Sequence, residues 1–526
     1  MSLSCDLSRE DGELEQRNGN AALYFVDRHA GGDKAGKIAF MDGTPDGRSI
    51  TYGELSEKSG RMAAMYEKFG LQREDRAVMI MQDSVDFPVV FWGSLKAGVI
   101  PVPVNTLLST DLYSVILRDS RAKALFISKD LLPSIEPILK DAHDLKAIFV
   151  VGGEAGDYLS FDEKIETASS RPMVQASPDE CAFWLYSSGS TGQPKGVRHV
   201  HSSLQATADT YGDQVLGIEE TDTVYSVAKL FFAYGLGNGM TFPMSVGATA
   251  VLYPGRPTPD SVFEVMARFE PSIFCGVPTL YAALVAAMKG DKPEGFNHLR
   301  RCISAGEALP GDIGRQWSDI TSVEILDGVG STEMLHIFLS NAPGDVVYGT
   351  SGIAVPGYEL RVVDDAGQDI AIGEIGELLV NGPSAADGYW NQRDKSRSTF
   401  EGHWTRTGDK YEKTEEGRLI YCGRTDDMFK VSGIWVSPFE IEQALVTHPD
   451  VLEAAVVAAP DESNLEKPKA FVVLQDSAGE EGLEEQLKQH VKDAVGKWKY
   501  PRWIEIVEDL PKTATGKVQR FKLRQD

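Results

Sequence analysis

The segment "YSSGSTGQPKGVRHVH", residues 186–201, contains three glycines, four Ser or Thr hydroxyls and one lysine within its first eleven positions. Glycine lets backbone N–H groups turn toward an anion, hydroxyls add donors, and Lys195 adds positive charge. The composition therefore predicts a loop that binds phosphate groups. It is not a Walker A loop, because Gly196 rather than Ser or Thr follows Lys195. A Gly- and Ser-rich surface turn without a ligand remains the alternative at this point.

Short apolar runs occur on both sides of this segment. Strands are predicted at "RAVMIM" (76–81), "KALFIS" (123–128), "ATAVLY" (248–253) and "SIFCGVP" (272–278), with "SVFEVMARF" (261–269) as the helix between the last two. Strands that alternate with amphipathic helices are typical of an α/β fold with largely parallel sheets. The most apolar run, residues 87–104, contains a lysine and three prolines, so it predicts a helix, a turn and a strand rather than a membrane span.

The pattern changes from about residue 346 onward. Short alternating strands with Gly and Asp turns predict a β-rich subdomain, and a second α/β unit follows it. In that unit, helices are predicted at 437–448 and 483–495 and strands at 453–460 and 469–475. The polar, Gly-bounded stretch "GRTDDMFKVSG" (423–433) separates the two parts. We therefore predict a large domain at 1–425 and a small one at 426–526.

The composition is that of an ordinary globular protein of 526 residues with a formal charge of −26. Such a charge argues against nucleic acid and anionic membranes as partners. Residues 488–526 are an exception, with 10 Lys and Arg against 5 Asp and Glu; this segment is either a solvated basic tail or a local site for an anion. The N-terminus has no apolar signal segment, the five cysteines form no CxxC pair, and the nine histidines form no HExxH cluster. These features predict a cytoplasmic protein with reduced thiols and no transition-metal site built from protein ligands.

The opening segment resembles the phosphate-binding signature of the acyl- and aryl-adenylate-forming ligases, which include acyl-CoA synthetases, peptide-synthetase adenylation domains and beetle luciferases. Further motifs of that superfamily follow in its order: "DGVGSTE" (327–333), "GELLVNGPSAADGYW" (376–390), "WTRTGD" (404–409), "GRTDDMFKVSGIWVSPFEIE" (423–442) and "PKTATGK" (511–517). An ordered set of this kind is highly specific. The resemblance implies a large N-terminal adenylate-forming domain, with α/β sheets and a β-rich subdomain, and a small mobile α+β C-terminal domain.

The resemblance also implies the nucleotide site. The residues matched to ATP or AMP binding are Ser187, Ser188, Gly189, Ser190, Thr191, Gly192, Lys195, Gly306, Glu307, Asp327, Gly328, Thr332, Asp409 and Arg424. Thr332 is implied to contact the α-phosphate and Glu333 to bind Mg²⁺ together with ATP. Asp409 is implied to accept the ribose hydroxyls, and Arg424 to reach the ribose or a phosphate. Taken singly, these residues have plainer interpretations as a helix cap, a turn carboxylate and a surface ion pair. His199 and His201 at the loop exit are expected to be packing or capping residues.

Two stretches, "KLFFAYGLGN" (229–238) and "GSTEMLHIF" (330–338), are most similar to benzoate-CoA ligases. The positions matched to the wall of the acyl pocket are Ala233, Tyr234, Gly235, Ser304, Ala305, Gly306, Gly328, Gly330, His336 and Ile337. Aromatic and small residues together suit a flat ring better than a long alkyl chain. Phe232 stands where amino-acid-activating relatives carry an aspartate, which disfavours an amino acid substrate. Substituted benzoates, cyclohexane carboxylates and medium-chain fatty acids remain alternative acids.

The last implied features concern the catalytic cycle. Lys517 is matched to the lysine that contacts the substrate carboxylate and the α-phosphate, Asp426 to the hinge between two domain orientations, and Gly433 to the path of CoA. The expected reactants are an aromatic carboxylic acid, ATP and CoA, with Mg²⁺ as cofactor. A homodimer and a lysine acetyltransferase or deacetylase that acts on Lys517 are further expected partners. Transfer of the acyl group to a carrier protein, and a nucleotide-binding pseudo-enzyme, are the alternatives to a CoA ligase.

Overall fold

The computed structural model describes residues 19–188, 194–431, 434–462, 465–475, 482–496, 499–512 and 518–524. The chain divides into two compact units. The first comprises Met1–Glu359 and Asn381–Thr405, and the second comprises Leu360–Val380 and Arg406–Asp526. The domain boundary predicted between residues 425 and 426 lies within the second unit, and it stays a prediction about where the mobile domain begins.

A nine-stranded sheet forms one half of the first unit. Its strands, from edge to edge, are Ile353–Ala354, Ile337–Ser340, Ile325–Gly330, Arg301–Ser304, Ile273–Gly276, Thr223–Ser226, Thr249–Leu252, Ile38–Asp42 and Ser49–Thr51. The six strands from Ile325–Gly330 to Ile38–Asp42 are parallel, and the outer strands pair antiparallel. Strand Ile273–Gly276 is buried at every position, as expected for a parallel strand covered on both faces. The strands predicted at 248–253 and 272–278 are thus confirmed.

A second, fully parallel sheet has five strands. Their spatial order is Ile100–Pro103, Arg76–Ile80, Ala124–Ser128, Ala147–Val151 and Leu159–Ser160. The apolar run at 87–104 forms helix Asp86–Ala97, a turn at Gly98 and the edge strand Ile100–Pro103, as predicted. Gly98 has a φ of 71°, a left-handed conformation that ends the helix and favours glycine.

Helices connect the strands of both sheets. The α-helices of the first unit are Ala21–Phe25, Tyr52–Lys68, Asp86–Ala97, Thr110–Ser120, Leu132–Leu139, Phe161–Thr167, His201–Thr207, Ala233–Leu236, Phe242–Val246, Pro259–Phe269, Pro278–Met288, Gly311–Thr321 and Arg393–Thr399. Short 3₁₀ turns are Asp27–His29, Gly32–Lys34 and Lys129–Leu131, and π-helical segments are Ala208–Leu216 and Gly237–Thr241. Within the described ranges, no helix combines the length and the apolarity needed to cross a bilayer.

Local sequence explains where these helices begin. Thr51 and Glu54 form a capping box in which each side chain accepts a hydrogen bond from the backbone N–H of the other, at 3.2 and 2.8 Å. This box starts helix Tyr52–Lys68. Helix Pro259–Phe269, predicted at 261–269, likewise starts at the capping residue Thr258 with proline in its first turn.

Aromatic side chains fill the cores beside both sheets. Tyr281 and Trp317, both fully buried, meet edge to face with ring centroids 4.8 Å apart beside the nine-stranded sheet. Phe126 and Phe149 stand opposite each other on paired strands of the five-stranded sheet and stack at 4.8 Å. Burial of this kind removes apolar surface from water and fixes the sheets that carry the site residues.

A three-stranded antiparallel sheet carries the two flanks of the predicted phosphate loop. It consists of Gly388–Tyr389, Pro194–Val200 and Cys181–Ser188 in that order. Ser188 pairs with Pro194 and Ser187 with Lys195, so the residues on both sides of 189–193 lie next to each other.

The second unit is mixed α and β, as predicted. Most residues of a β-rich sheet belong to this unit; the sheet runs in the order Glu359–Val363, Ile375–Asn381, Trp404–Lys413 and Phe400–Glu401, and Leu419–Arg424 pairs with Trp404–Lys413. Strands Phe429–Val431 and Ile434–Val436 form a hairpin, and Val451–Pro460, Glu466–Leu474 and Trp503–Ile506 form a separate sheet. The α-helices are Pro438–Val446, Leu483–Val495 and Arg520–Leu523. The strands and helices predicted between 437 and 495 are therefore confirmed.

Four cysteines fall within the described residues, and all are free thiols. Cys275, Cys302 and Cys422 are buried, and Cys181 is half-buried. Burial raises the pKa of the Cys302 thiol to about 12, so this thiol is protonated and unreactive at neutral pH. These observations agree with the predicted reduced core thiols; Cys5 lies outside the described residues.

Candidate active site

Two residues of the predicted phosphate loop, Ser187 and Lys195, lie on the strands at either side of it. Ser187 lies on strand Cys181–Ser188, where its Oγ is buried and has no hydrogen-bond partner among the described residues. Lys195 lies opposite Ser187, with its Nζ 4.9 Å from the centroid of the Tyr389 ring. A buried hydroxyl without a partner is costly unless a ligand or water bonds to it, which fits an anion site. The side chain of Ser188, and Gly189, Ser190, Thr191 and Gly192 lie outside the described residues, so their roles stay predictions.

Tyr389 connects the phosphate loop with the predicted magnesium residue. Its hydroxyl donates a 2.8 Å hydrogen bond to Glu333 Oε1, while its ring faces Lys195. The backbone of Glu333 is held as well, because its carbonyl accepts a 2.8 Å hydrogen bond from Ala386 N. The structure thus brings a lysine, a tyrosine and a carboxylate from three distant segments into one group. The motif at 376–390 contains Tyr389, but no role was predicted for this residue from the sequence.

Thr332 is held in place by a buried histidine. His199 Nε2 lies 2.8 Å from the carbonyl oxygen of Thr332, and its ring stacks on Phe183 at 5.1 Å. A carbonyl only accepts, so the proton of the His199 ring is on Nε2. Complete burial lowers the pKa of His199 to about 4, so the ring is neutral at physiological pH. His201 is also buried, and its Nδ1 accepts from Ala21 N at 3.2 Å. Both geometries agree with the packing roles predicted for these histidines.

Asp327 is a buried carboxyl on strand Ile325–Gly330. Its Oδ2 accepts a long 3.5 Å hydrogen bond from Leu309 N, and its Oδ1 has no partner among the described residues. Burial raises the pKa of Asp327 to about 8, so the carboxyl is largely protonated at neutral pH. Gly306, with a φ of 98°, and the exposed Glu307 follow the neighbouring strand Arg301–Ser304. These residues, predicted to bind ATP or AMP, therefore lie at or just beyond the end of the parallel pairing between two adjacent strands, and the carboxyl ends of such strands are where α/β sheets bind ligands.

His336 is the centre of the predicted acyl pocket. It is 2% exposed and is surrounded by the rings of Phe242, Tyr211 and Tyr234, with centroids 4.5, 5.1 and 5.8 Å away. Burial lowers the pKa of His336 to about 3, so the ring is neutral. Neither ring nitrogen has a hydrogen-bond partner in the part of the chain that the structure describes. A neutral imidazole enclosed by aromatic rings provides a mostly apolar surface with one polar edge.

Close backbone approaches fix the position of His336. A Cβ atom at Gly237 would lie 2.4 Å from His336 Cδ2, and one at Gly330 would lie 2.5 Å from the carbonyl oxygen of His336. Both distances are too short for any side chain, so these two glycines are required for the ring to occupy this place. The predicted wall residues Ala233, Gly235, Ser304, Ala305 and Ile337 are buried, and Gly328 belongs to strand Ile325–Gly330.

Tyr234 is fixed by two carbonyl groups of the nine-stranded sheet. Its hydroxyl lies 3.0 Å from Gly276 O and 3.2 Å from Ile303 O, at the ends of two neighbouring strands. Burial raises the pKa of Tyr234 well above its ordinary value, so the hydroxyl stays protonated and donates. The ring therefore has little freedom, and it presents one face toward His336.

The backbone that leads into the pocket is held by a buried carboxylate. Both oxygens of Asp83 accept from Leu230 N, at 3.2 and 3.3 Å, across 147 positions of sequence. The neighbouring Lys229 Nζ donates to Gly255 O at 2.7 Å and to Tyr253 O. Burial raises the pKa of Asp83 to about 6, while the charge of Lys229 opposes that rise. Asp83 thus orders the start of the segment that carries Ala233 and Tyr234.

Sequence reasoning missed Tyr211 and Phe242, whose rings contact His336, and the buried Asn238. Tyr211 and Asn238 lie on the two π-helical segments, and Phe242 follows the second of them. Asn238 is fully buried, and neither of its amide atoms has a partner among the described residues; the same holds for the Tyr211 hydroxyl. π-Helical turns occur often at functional sites, but they have no sequence periodicity by which they can be found.

The two predicted ribose residues meet in the second unit. Asp409 and Arg424 stand opposite each other on paired strands, with Asp409 Oδ1 and Arg424 Nη1 3.0 Å apart. Arg424 Nη1 also donates to Thr407 O at 3.0 Å. The pair therefore presents a carboxylate and a guanidinium side by side, as a ribose and an adjacent phosphate require. Of the remaining predictions, Asp426 is described in the same unit, whereas Gly433 and Lys517 lie outside the described residues.

Comparison with known proteins agrees with these features. Residues 26–390 match the AMP-binding enzyme family model, and residues 440–517 match the model of the AMP-binding enzyme C-terminal domain. The chain therefore belongs to the AMP-binding enzyme family, and the resemblance to adenylate-forming ligases is confirmed.

Individual relatives agree along nearly the whole chain. It is 51% identical, over 97% of its length and 94% of the relative, to the 4-hydroxybenzoate--CoA/benzoate--CoA ligase of Rhodopseudomonas palustris. It is 52% identical to the benzoate--CoA ligase of Thauera aromatica, over 96% of this chain and 95% of that protein. The crystal structure of a benzoate CoA ligase from Burkholderia xenovorans LB400 matches with a TM-score of 0.88 at 47% identity, covering 96% of this chain and 99% of that one. The predicted fold class is confirmed.

Proposed function

We propose that this protein is an ATP-dependent aryl-CoA ligase that forms an aryl adenylate and then an aryl-CoA thioester, with benzoate as its acid. The observation that carries the choice of acid is the enclosure of the buried, neutral His336 by Phe242, Tyr211 and Tyr234. Rigid aromatic walls suit a flat ring better than a flexible chain. The names of the relatives at 51% and 52% identity support the same choice.

In the proposed first half-reaction, a carboxylate oxygen of the acid attacks the α-phosphorus of ATP, and the bond to pyrophosphate breaks. Both reactants are anionic, so positive charge and oriented donors lower the barrier. The unpartnered Ser187 hydroxyl and the Lys195 ammonium group suit the β- and γ-phosphates. Ser188, Gly189, Ser190, Thr191 and Gly192 are assigned to the same cradle. Lys517 is assigned to the carboxylate and the α-phosphate.

Mg²⁺ is the proposed cofactor of this step. One protein carboxylate plus nucleotide oxygens is a typical ligand set for Mg²⁺, and Glu333 supplies such a carboxylate. The 2.8 Å hydrogen bond from Tyr389 orients that carboxylate, and His199 holds the backbone of Thr332 beside it. When bound, the ion neutralises phosphate charge. The protein residues orient the ligand set and keep Thr332 at the α-phosphate.

In the proposed second half-reaction, the thiol of CoA attacks the acyl carbon, AMP leaves, and the thiol proton passes to solvent. Asp409 and Arg424 are assigned to the ribose, which they would hold through both half-reactions. Gly433 is assigned to the CoA path and Asp426 to the hinge between the two orientations of the mobile domain. A residue that absorbs a large backbone rotation suits a polar segment between domains.

A second candidate acid is 4-hydroxybenzoate, and one observation favours it. The hydroxyl of Tyr211 and the ring nitrogens of His336 belong to neighbouring buried rings, and neither group makes a well-formed hydrogen bond among the described residues. A ring hydroxyl would satisfy such groups, and a pocket built to bond a hydroxyl discriminates strongly for it. The Rhodopseudomonas palustris relative is named for both acids.

An acid panel tests the proposal directly. Release of AMP that depends on both CoA and the acid is measured for benzoate, 4-hydroxybenzoate, cyclohexane carboxylate and octanoate. We expect the highest kcat/KM for one of the two aromatic acids. Highest activity on octanoate would refute the aryl assignment, and activity with a carrier protein but not with CoA would refute the CoA assignment.

Three further properties belong to this proposal. A cytoplasmic location is supported by the free cysteines and by the bacterial relatives. A homodimer is proposed from family resemblance, and gel filtration with light scattering tests it. Acetylation of Lys517 would remove the charge needed for adenylation, so a lysine acetyltransferase and deacetylase are proposed to switch the enzyme. Full activity after stoichiometric acetylation there would refute the switch.

A further inference from the structure

The described residues on both sides of Asp426 are anchored in different ways. On its N-terminal side, Thr425 N donates to Gly408 O at 2.8 Å, and Arg424 is paired with Asp409. These bonds tie the chain to strand Trp404–Lys413. Arg424 and Thr425 are therefore fixed to the β-rich sheet of the second unit.

On the C-terminal side, two arginines from the end of the chain bind the next residues. Arg524 Nη2 donates to the carbonyl oxygen of Asp426 at 3.3 Å and to Asp427 Oδ1 at 2.6 Å. Arg520 Nη1 lies 3.4 Å from the other carboxylate oxygen of Asp427. The two guanidinium groups thus share one carboxylate, and one of them also holds the adjacent peptide oxygen.

Arg520 is itself rigidly held. Its Nε and Nη2 donate to the two oxygens of Glu442 at 3.0 and 2.7 Å, a bidentate pair. Glu442 is 6% exposed, and its Oε1 also accepts from Val456 N at 2.7 Å. A bidentate pair that is mostly buried has fewer conformations than an exposed single contact. Through Glu442, Arg520 therefore connects Asp427 to helix Pro438–Val446 and to strand Val451–Pro460.

Backbone geometry decides what these anchors allow. The carbonyl oxygen of Asp426 lies in the peptide plane that follows the φ and ψ bonds of that residue. Holding this oxygen fixes the peptide plane to the C-terminal side but leaves both bonds of Asp426 free to rotate. Two turn bonds, from Asp427 N and Met428 N to Arg424 O at 3.0 Å each, span Asp426 and would break on rotation. Asp426 therefore lies between two sets of anchors, and the bond from Ser437 Oγ to Cys422 O is a further contact that rotation at Asp426 would break.

The same arginines lie close in sequence to Lys517. Residues on either side of 513–517 pair with each other, since Lys512 and Val518 form a bridge and Gln519 N donates to Pro511 O at 2.7 Å. Arg520 follows directly. The chain that leaves Lys517 is thus bound to Asp427 within three residues.

We propose that Arg520 and Arg524 are positioning residues for adenylation, which anchor the C-terminal side of the hinge to the chain that follows Lys517. Rotation about Asp426 then moves the lysine loop as part of one rigid body. Without the anchors, rotation spreads over several residues, and the arrangement that places Lys517 for adenylation becomes less populated. This inference rests on the proposed two-step ligase reaction and on the role of Lys517 in it.

The test separates the two half-reactions. Benzoate-dependent pyrophosphate exchange reports adenylation, and CoA thioester formation from pre-made benzoyl-AMP reports the second step. We expect Arg524→Gln to lower adenylation about tenfold and thioester formation by less than about threefold. Arg524→Lys keeps the charge and is expected to recover part of the loss. Asp427→Asn should show the same pattern at least as strongly, because both arginines lose their charged partner, and the double variant with Arg524→Gln should be no worse than Asp427→Asn alone.

Lys512→Gln is the matched control. It removes an ion pair with Glu453 at the other flank of 513–517 but touches neither Asp426 nor Asp427, so both half-reactions should be unchanged. Thermal melting of every variant verifies folding. Equal slowing of both half-reactions by Arg524→Gln, or no slowing, would overturn the anchor. Lys517→Ala serves as the internal standard. If this variant keeps its adenylation activity, the proposed two-step mechanism is refuted. If Lys517→Ala loses adenylation activity but Arg524→Gln does not, only the proposed role of Arg524 as an anchor is refuted.

Discussion

The proposed acyl pocket of the first unit and the proposed hinge segment of the second unit use polar groups in opposite ways. His336 is 2% exposed, neutral and enclosed by rings, whereas the side chain of Arg424 is 47% exposed and pairs with a carboxylate. The pocket has its polar groups buried without partners, and the hinge has them paired in networks of ions. A fixed, dry pocket selects a substrate by shape and by unsatisfied hydrogen bonds. The half-exposed Arg424–Asp409 pair contributes little to stability by itself, whereas the mostly buried Arg520–Glu442 pair holds its position.

This comparison between the proposed pocket and the proposed hinge predicts that the substitution with the largest effect on rate is at Lys517, in the proposed mobile domain. A lysine about 4 Å from developing charge, at an effective dielectric near 20, contributes about 4 kcal/mol, or roughly a thousandfold in rate. Lys517→Ala should therefore nearly abolish pyrophosphate exchange and largely spare thioester formation from pre-made aryl-AMP. Gly433→Leu is the complementary variant, with adenylation kept and thioester formation blocked. Equal effects of Lys517→Ala on both half-reactions would contradict alternation of the two orientations.

The next effect tests whether a fixed carboxylate holds the metal. Glu333→Gln keeps the shape of the side chain but removes its charge, so adenylation should fall about a hundredfold and recover in part at high Mg²⁺. Tyr389→Phe is the matched variant, because it removes only the hydroxyl that donates to Glu333 Oε1 at 2.8 Å. It should cost about tenfold, without rescue by Mg²⁺. If Glu333 were merely a helix cap, the glutamine variant would be nearly as active as the wild type.

The proposed acyl pocket is tested by comparing acids of different size and shape. We expect benzoate to exceed octanoate by about 3 kcal/mol in transition-state binding, roughly two decades in kcat/KM. Gly237→Ala sharpens this test, since its Cβ would lie 2.4 Å from His336 Cδ2 and must displace that ring. The preference for benzoate should then shrink. A preference unaffected by this variant would show that His336 does not shape the acid site.

Sequence alone predicted much of this molecule for identifiable reasons. Strand Ile273–Gly276 and helix Pro259–Phe269 follow from apolar runs, periodicity and proline at the helix start. Asp409 and Arg424 were each matched from their motifs to the ribose region, and the structure adds that the two side chains pair with each other. These features depend on neighbours in sequence or on side chains that the chemistry demands.

Other features depend on long-range packing and left no sequence signal. Tyr211 and Asn238 lie on π-helical segments that look like ordinary apolar sequence. The hydrogen bonds of Asp83 to Leu230 N span 147 positions, and the sequence around Asp83 does not indicate which distant backbone group it binds. Tyr389 lies inside a recognised motif, but its contacts with Lys195 and Glu333 arise only when three distant segments fold together.

The last prediction concerns stability rather than rate, and it tests Asp83, the buried carboxylate that accepts from Leu230 N. Burial raises the pKa of Asp83 to about 6, above the ordinary value near 4. An acid with a raised pKa in the folded state binds its proton more tightly there than in the unfolded chain. Its contribution to the free energy of unfolding is therefore full below about pH 4 and is lost as the pH rises to about 6.

Asp83→Asn mimics the protonated acid and keeps an oxygen that accepts from Leu230 N. Relative to wild type, the variant should therefore gain up to about 3 kcal/mol in free energy of unfolding between pH 4 and pH 7.5. Urea unfolding at both pH values measures this change, and taking the difference from wild type cancels the titration of other groups such as Asp327. Asp144→Asn is the control: hydrogen bonding to Lys123 lowers the pKa of the exposed Asp144, so any change there has the opposite sign. A pH-independent difference for Asp83→Asn would mean that Asp83 is ionised with its ordinary pKa, and that Lys229 compensates its charge fully in the folded protein.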